Sequence, residues 1–337
     1  MARKLKCAIL GFGGMGHFHA SQYAAQKDVE LVALCDIDPA KLETAEASIN
    51  LGDSGKSDLS GLRKYTSYEE MAGAEAGVVD MLDICLPAYL HADYSIRAME
   101  DGFHVLCEKP MALDSRDCAR MIAAQRKTGR TLMVAQCIRF NPAYQLLEKL
   151  VKTKRYGRLL KLDMYRCGNY PTGSSGWYMD ANLSGGAIID LHLHDLDWIQ
   201  SALGKPVSLE ARGLQGLSGG WDEVQAFFTL PESGAIVAAM GSWMRADRFQ
   251  AGFTAIFEKA VLHLGGEPKL TDVHGKELKL AFKPANMYFN EIAYFAKCVK
   301  TGSKPEKCLP ESTALTVRLI ELERQSAKGG GRRLPVK

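Results

Sequence analysis

Lys109, Asp190 and His194 are the side chains whose types and settings in this sequence offer acid–base chemistry. Lys109 follows the apolar run Phe103-His104-Val105-Leu106-Cys107 and stands between Glu108 and Pro110, so a strand would deliver both charges to its carboxyl end and stop at the proline. Asp190 and His194 lie in Leu183-Ser184-Gly185-Gly186-Ala187-Ile188-Ile189-Asp190-Leu191-His192-Leu193-His194-Asp195-Leu196-Asp197-Trp198. A helix from about Ala187 would put Asp190, His194 and Asp197 on one face and turn His192 roughly the other way. As a strand, the same letters would align Asp190, His192 and His194 like metal ligands. The apolar positions Ile188, Leu191, Leu196 and Ile199 recur nearer helical spacing, so no metal is expected. A structural helix with a buried Asp-His hydrogen bond is the third reading.

Acid–base chemistry at a hydroxyl requires a group that takes the hydroxyl proton and a donor that stabilises the developing charge. An imidazole near neutral pKa suits the first task and Lys109 the second. Lys109 could itself be the base if burial and a cofactor's charge lower its pKa, and Asp190 would orient the substrate or His194.

A second motif lies near the amino terminus. The apolar run Cys7-Ala8-Ile9-Leu10 leads into Gly11-Phe12-Gly13-Gly14-Met15-Gly16, a G-x-G-x-x-G spacing. Gly11 permits a tight turn, Gly13 lets backbone approach a pyrophosphate, and Gly16 lets the following helix lie close to the strand. That helix, starting near Met15, would turn its unpaired N–H groups to the diphosphate. A second apolar strand, Leu31-Val32-Ala33-Leu34-Cys35, ends in Asp36, where a carboxylate can accept from the adenosine ribose hydroxyls. Asp36 would repel a 2′-phosphate and Ile37, Asp38 and Pro39 offer no guanidinium for one, so NAD is expected over NADP, with Lys41 keeping NADP possible. Strand, glycine turn, helix, strand and acid in that order read as a Rossmann unit.

The elements that must position these residues fall into two groups. From Lys6 to about Gln136, apolar strands alternate with amphipathic helices, which predicts a mostly parallel sheet covered on both faces. Its third principal strand, Asp80 to Leu86, ends at Pro87, with His91 in the next helix. Ligands bind at the carboxyl ends of such strands, so Pro87, His91, Glu108 and Lys109 are candidate cofactor contacts, and a purely structural His91 is equally open. A helix is expected near Ala40 to Ser48, then a polar Gly-rich loop over 50–57. Arg139-Phe140-Asn141-Pro142 reads as the crossing into a second domain, giving 1–138 and 139–337. Strands near Leu159 to Arg166, Val207 to Leu214, Glu223 to Leu230, Ala235 to Met244, Phe253 to Phe257 and Ala260 to Leu264 suggest a large, mostly antiparallel sheet, and two helices close the chain. Arg139, Asn169, Trp177 and Tyr178 are candidate substrate contacts, because aromatic faces beside polar groups suit a sugar ring. The same residues would also suit domain-interface packing.

The glycine fingerprint with His19 downstream, the strand ending Glu108-Lys109-Pro110, and Gly185-Gly186 leading to Asp190 and His194 resemble the Gfo/Idh/MocA oxidoreductases over nearly the whole chain. The resemblance implies an α/β chain with a Rossmann domain and an open-sheet second domain, oxidation of sugar or cyclitol alcohols by NAD or NADP, and an active site of Lys109, Asp190 and His194. It also implies a homo-oligomer, dimer or tetramer, joined through the second domain's sheet. His192 departs from the family, where that position is commonly Gly; its imidazole could reshape the pocket or pack against the sheet.

Composition narrows the alternatives. With 337 residues, 47% hydrophobic and 24% charged, the chain has the make-up of two globular domains and not of a disordered one. A net charge of +3 with signs interspersed argues against a nucleic-acid partner, and no apolar run approaches a membrane span. Nine cysteines spread singly, in apolar settings and without a C-x-x-C pair, read as reduced thiols of a cytoplasmic protein. The rival functions are a non-catalytic NAD(P)-binding regulator, a metal hydrolase, and a glycosidase that uses NAD as a transient oxidant.

Overall fold

The computed structural model describes residues 3–44, 48–49, 52–53, 58–172, 174–231, 234–245 and 248–337. In chain order the elements are β1 (Leu5–Leu10), α1 (Gly14–Ala24), β2 (Val29–Cys35), α2 (Pro39–Glu43), β3 (Ser48–Ile49), β4 (Gly52–Asp53), β5 (Arg63–Tyr65), α3 (Tyr68–Glu75), β6 (Met81–Ile84), α4 (His91–Glu100), β7 (His104–Glu108), α5 (Ser115–Thr128), β8 (Leu132–Ala135) and α6 (Pro142–Thr153). They continue with β9 (Leu159–Cys167), α7 (Ala181–Ser184), α8 (Leu193–Ala202), β10 (Ser208–Gln215), β11 (Trp221–Thr229), β12 (Ile236–Ser242), β13 (Gln250–Phe257), β14 (Ala260–Leu264), β15 (Pro268–Asp272), α9 (Met287–Thr301), α10 (Pro310–Lys328) and β16 (Leu334–Pro335). The chain forms two compact units, Met1–Cys137 with Asn286–Ala314, and Ile138–Ala285 with Leu315–Lys337.

In the first unit the sheet order is β5-β2-β1-β6-β7-β8, all parallel. Order therefore reverses between β1 and β6, and the crevice beyond that switch point is where open parallel sheets take ligands. The central strands are apolar along their length because helices cover both faces: Ile9, Leu34, Leu82 and Leu106 have no exposed surface. Helix starts follow the local chemistry. Asp114 accepts from Asp117 N at 2.8 Å to begin α5, and Asn286 accepts from Tyr288 N at 2.9 Å to begin α9. The helix expected near Ala40 to Ser48 ends at Glu43, and Ser48–Ile49 is a short strand paired with Gly52–Asp53. The rest of the expected polar loop lies outside the described residues.

The division of the chain differs from the expected continuous 139–337, because residues 286–314 belong to the first unit. The cause is the docking of α9 on α1, where the Phe18 and Tyr288 rings meet edge to face at 4.8 Å and Gln26 Nε2 donates to the carbonyl of Phe289 at 3.0 Å. An amphipathic helix tells by its pattern that it has an apolar side, not which sheet it covers.

In the second unit the order is β15-β14-β13-β9-β12-β11-β10-β16, antiparallel except for the parallel pair β9 and β12. The six expected strands are present, and the short strands β15 and β16 extend the two edges. Burial alternates along β11: Val224, Ala226 and Phe228 face the core while Gln225 and Phe227 are exposed. Leu193, Leu196 and Ile199 of α8 and Leu319 and Ile320 of α10 are fully buried. Arg139 joins this core through a paired contact with Asp197 of α8, Nε to Oδ2 at 2.6 Å and Nη2 to Oδ1 at 2.7 Å, and Thr316 Oγ1 donates to the same Oδ1 at 2.8 Å. Removing one partner of a buried ion pair leaves an uncompensated charge. Arg139→Met is expected to lower the unfolding free energy by ~3–5 kcal/mol in a urea titration, a loss characteristic of such pairs.

Candidate active site

The glycine turn is built as the nucleotide reading requires. Gly11 has φ +91°, and a Cβ there would stand 2.7 Å from the carbonyl oxygen of Cys85, across the switch point. A Cβ on Gly16 would run into the carbonyl oxygen of Gly11, whereas nothing lies within 4 Å of one placed on Gly13. Two glycines thus let backbone segments touch, and the third leaves open space at the start of α1, where Gly14 and Met15 present the first helical N–H groups. This cradle fits a dinucleotide diphosphate. The Phe12 side chain is fully buried and its ring packs on His17 at 3.9 Å, so it faces the interior and not a ligand.

Asp36 sits at the end of β2 and does more than expected. Its Oδ2 accepts from Phe12 N at 2.8 Å and its Oδ1 from Asp38 N at 2.9 Å, with Lys41 Nζ at 3.4 Å. One carboxylate therefore pins the glycine turn and stands where a ribose would be read. Pro87, at the end of the β6 segment, is partly exposed. His91 is 1% exposed, with Nδ1 2.6 Å from the carbonyl of Pro110 and Nε2 2.8 Å from that of Leu86. It clamps the ends of two neighbouring strands, the structural one of its two expected roles, and burial holds its pKa below the ordinary histidine value.

Lys109 follows β7, is partly exposed, and donates its backbone N–H to Glu108 Oε2 at 2.9 Å; its peptide bond to Pro110 is cis. Glu108 itself is buried, its Oε1 3.1 Å from His19 Nε2, and His19 Nδ1 lies 2.8 Å from Asp83 Oδ2. The Tyr23 hydroxyl donates to the same Asp83 oxygen at 2.9 Å. Burial opposes a charge on His19, but the Asp83 carboxylate and the Cys85 side chain together outweigh it and raise the imidazole pKa well above its usual value.

In the second unit, the segment bearing Asp190 and His194 is helical, with a wide π-helical turn over Ile188–His192 continuing into α8. Gly185 and Gly186, at φ +82° and +76°, turn the chain into it, and Arg324 Nη2 donates to the Gly185 carbonyl at 2.8 Å. Asp190 is half-buried and its Oδ2 accepts from Trp243 Nε1 at 3.3 Å. Trp243 meets Tyr178 edge to face at 6.3 Å, and Tyr178 stacks on Trp177 at 4.0 Å. An aromatic wall thus adjoins Asp190, and Trp243, which sequence reasoning missed, is its link. Being the residue after β12, it stood out by neither spacing nor motif.

Other expected residues have different tasks. Asn169 is exposed just past β9. Arg139, expected at the substrate, is 9% exposed with its guanidinium on Asp197, so Asp197 serves the core instead of the face expected to carry it with Asp190 and His194. His192 has no exposed surface and pairs with Glu323 Oε1 at 3.1 Å through Nε2. Its Cβ lies so close to β12 that a Cβ on Gly241 would come within 2.5 Å of it. Of the two roles open to this imidazole, the structure gives it packing against the sheet.

The double duty of Asp36 makes a prediction. Asp36→Ala should weaken NAD binding by about tenfold or more, the loss of one or two charge-assisted hydrogen bonds, and narrow the preference for NAD over NADP. Calorimetric titration with each dinucleotide reads both effects.

Comparison with known proteins agrees with this geometry. Residues 5–136 match the model of the oxidoreductase family with an NAD-binding Rossmann fold, and residues 144–263 match the GFO/IDH/MocA C-terminal domain. The chain is 25% identical to D-xylose 1-dehydrogenase (NADP(+)) 2 of Haloferax volcanii over 96% of its own length and 97% of the relative's. It is 27% identical to inositol 2-dehydrogenase of Corynebacterium glutamicum, covering 79% of this chain and 75% of the other. In fold it is similar to the aldose-aldose oxidoreductase from Caulobacter crescentus complexed with glycerol, with a TM-score of 0.85, 23% identity, and coverage of 99% of this chain and 100% of that one. With both halves of the family's two-domain pattern present, and the dinucleotide cradle built into the first, the chain belongs to the Gfo/Idh/MocA family of NAD(P)-dependent oxidoreductases.

Proposed function

We propose that this protein oxidises a secondary alcohol of a sugar, glycoside or cyclitol, or reduces the corresponding ketone, with NAD as cofactor. The observation that carries the reading is Asp190, held by the Trp243 indole beside the Trp177–Tyr178 stack and one turn before His194. Aromatic faces next to a carboxylate suit a ring with apolar faces and hydroxyl edges. The glycine turn and Asp36 would hold the cofactor, which when bound supplies the hydride chemistry. His194 takes the hydroxyl proton, and the Lys109 ammonium hydrogen-bonds the same oxygen and stabilises its developing charge; Lys109 is the alternative proton acceptor. Asp190 orients the substrate's neighbouring hydroxyl groups.

The nine cysteines are all thiols, eight of them buried, which supports a reducing, cytoplasmic setting. A homo-oligomer is supported by the outer face of the second unit's sheet, where Phe227 and Ile236 are 44% and 57% exposed near Tyr165, Met240 and Ile256. No described helix is long and apolar enough to cross a membrane.

Lys109→Ala and His194→Ala should each bind NAD within about twofold of the parent yet lose ~10²–10⁴ in turnover, the usual contribution of an acid–base group. The assay is NAD reduction across inositols, free sugars, glycosides and sugar acids. An unimpaired rate in either variant removes that residue from the mechanism, and glycoside cleavage without net NADH would move the reading to a transient oxidation. Phe227→Glu should shift the protein to a smaller species in sedimentation velocity.

A further inference from the structure

Beneath the Glu108–Lys109 corner lies a group that the proposed mechanism does not use. Glu291 of α9 has no exposed surface, and among the described residues neither of its carboxylate oxygens has a hydrogen-bond partner. One of them lies within 4.8 Å of both a His19 ring nitrogen and a Glu108 oxygen. The surroundings are crowded with titratable groups: His19 and Tyr23 from α1, Asp83 and Cys85 from β6 and the residues after it, Glu108 from β7, and Tyr288 from α9 itself. Two carboxylates, Asp83 and Glu108, already face the single imidazole of His19 from its two nitrogens. A third buried negative charge would have no cation of its own, and the desolvation of an uncompensated carboxylate is among the largest penalties a protein interior can impose.

We propose that Glu291 is held as a neutral, proton-carrying carboxylic acid that donates toward Glu108 and so acts as a positioning residue for the Glu108–Lys109 corner. A neutral acid offers the Glu108 carboxylate a further donor beside the His19 imidazole and the Lys109 N–H that it already faces, where an ionised one would only repel it. Burial first, and then the Glu108 carboxylate, raise the Glu291 pKa well above the usual carboxylate range, in the same sense as the geometry. The competing occupant of this cluster is a divalent cation bound by His19, Glu108 and Glu291, which would require Glu291 ionised.

The two cases separate in the full-length protein. The folded state keeps a proton that the unfolded chain releases near the ordinary glutamate pKa of about 4.3. Above that pH the folded form therefore binds one more proton, and this group makes the wild type lose stability as pH rises, by about tenfold in the unfolding equilibrium constant per pH unit until its folded pKa is reached. Glu291→Gln has no proton to release. It should match or exceed wild type in thermal stability near about pH 7, with a margin that widens from about pH 5 to about pH 8, while Glu291→Ala stays below Glu291→Gln throughout. Infrared spectra of the wild type should contain a protonated-carboxyl stretch that shifts in D2O and is missing from Glu291→Gln. Stoichiometric metal in the wild type that is lost in Glu291→Gln, or a glutamine variant as unstable as the alanine one at every pH, overturns the proposal. The link to Lys109 rests on the reading of that residue given above: the alkaline limb of kcat should move in Glu291→Gln with KM for NAD unchanged, and an unmoved limb refutes the positioning role. The spectroscopic and stability results stand without any turnover, so a failure of the dehydrogenase reading is told apart from a failure here.

Discussion

The closeness of three backbone segments at the switch point of the parallel sheet is the constraint on which the nucleotide half of the site depends. Gly11 lies against the Cys85 carbonyl, and Gly16 against the carbonyl of Gly11, at distances where a Cβ has no room. Because α1 can sit this near to β1, the residue one helical turn beyond Gly16 reaches into the sheet. That residue is His19, whose two nitrogens face Asp83 on β6 and Glu108 on β7. Glu108 in turn takes the Lys109 N–H. The glycines therefore do two things with one contact. They clear the space for a diphosphate, and they bring the helix close enough for a chain of buried polar contacts to fix the lysine that follows β7.

The second unit solves a similar problem with a helix where the first uses a strand end. Asp190 and His194 must project from one side of a segment whose other side is packed on a sheet. The wide turn over Ile188–His192 and the closeness of His192 to Gly241 put the segment hard against β12. Two consecutive residues of α10 then hold it, Glu323 on the His192 ring and Arg324 on the Gly185 carbonyl, near its end and its beginning. The indole of Trp243 meets Asp190 from the end of β12. Asp190 is thus supported from the turn before it, the sheet beneath it and the helix behind it, the rigidity that its proposed role in orienting a substrate would require.

What was legible in the sequence was what local order determines. The glycine spacing, Asp36 at a strand end, and Lys109 before a proline lie beside the elements that place them, and the helix and strand periods were plain enough to give both sheets. Partner choice across long separations was not legible. Arg139 and Asp197 are 58 residues apart, and nothing in either neighbourhood says that they pair. Asp197 looked like a companion of Asp190 and His194 because uniform helical spacing was assumed, and a widened turn alters the phase of everything after it. The return of α9 to the first unit escaped for the same reason, since its apolar side is compatible with either sheet.

His192 illustrates how a departure from a family pattern is absorbed. An imidazole where a small residue is usual has to find volume and a partner, and both come from the side away from Asp190. The missing side chain at Gly241 supplies the volume, and Glu323 supplies the charge. Burial opposes protonation of the ring, but the Glu323 carboxylate outweighs it and raises the pKa. The exchange is therefore contained within the packing of α10 on the sheet. Around Asp190, Trp177, Tyr178 and Trp243 present large rigid faces of the kind the proposed sugar or cyclitol ring would lie against.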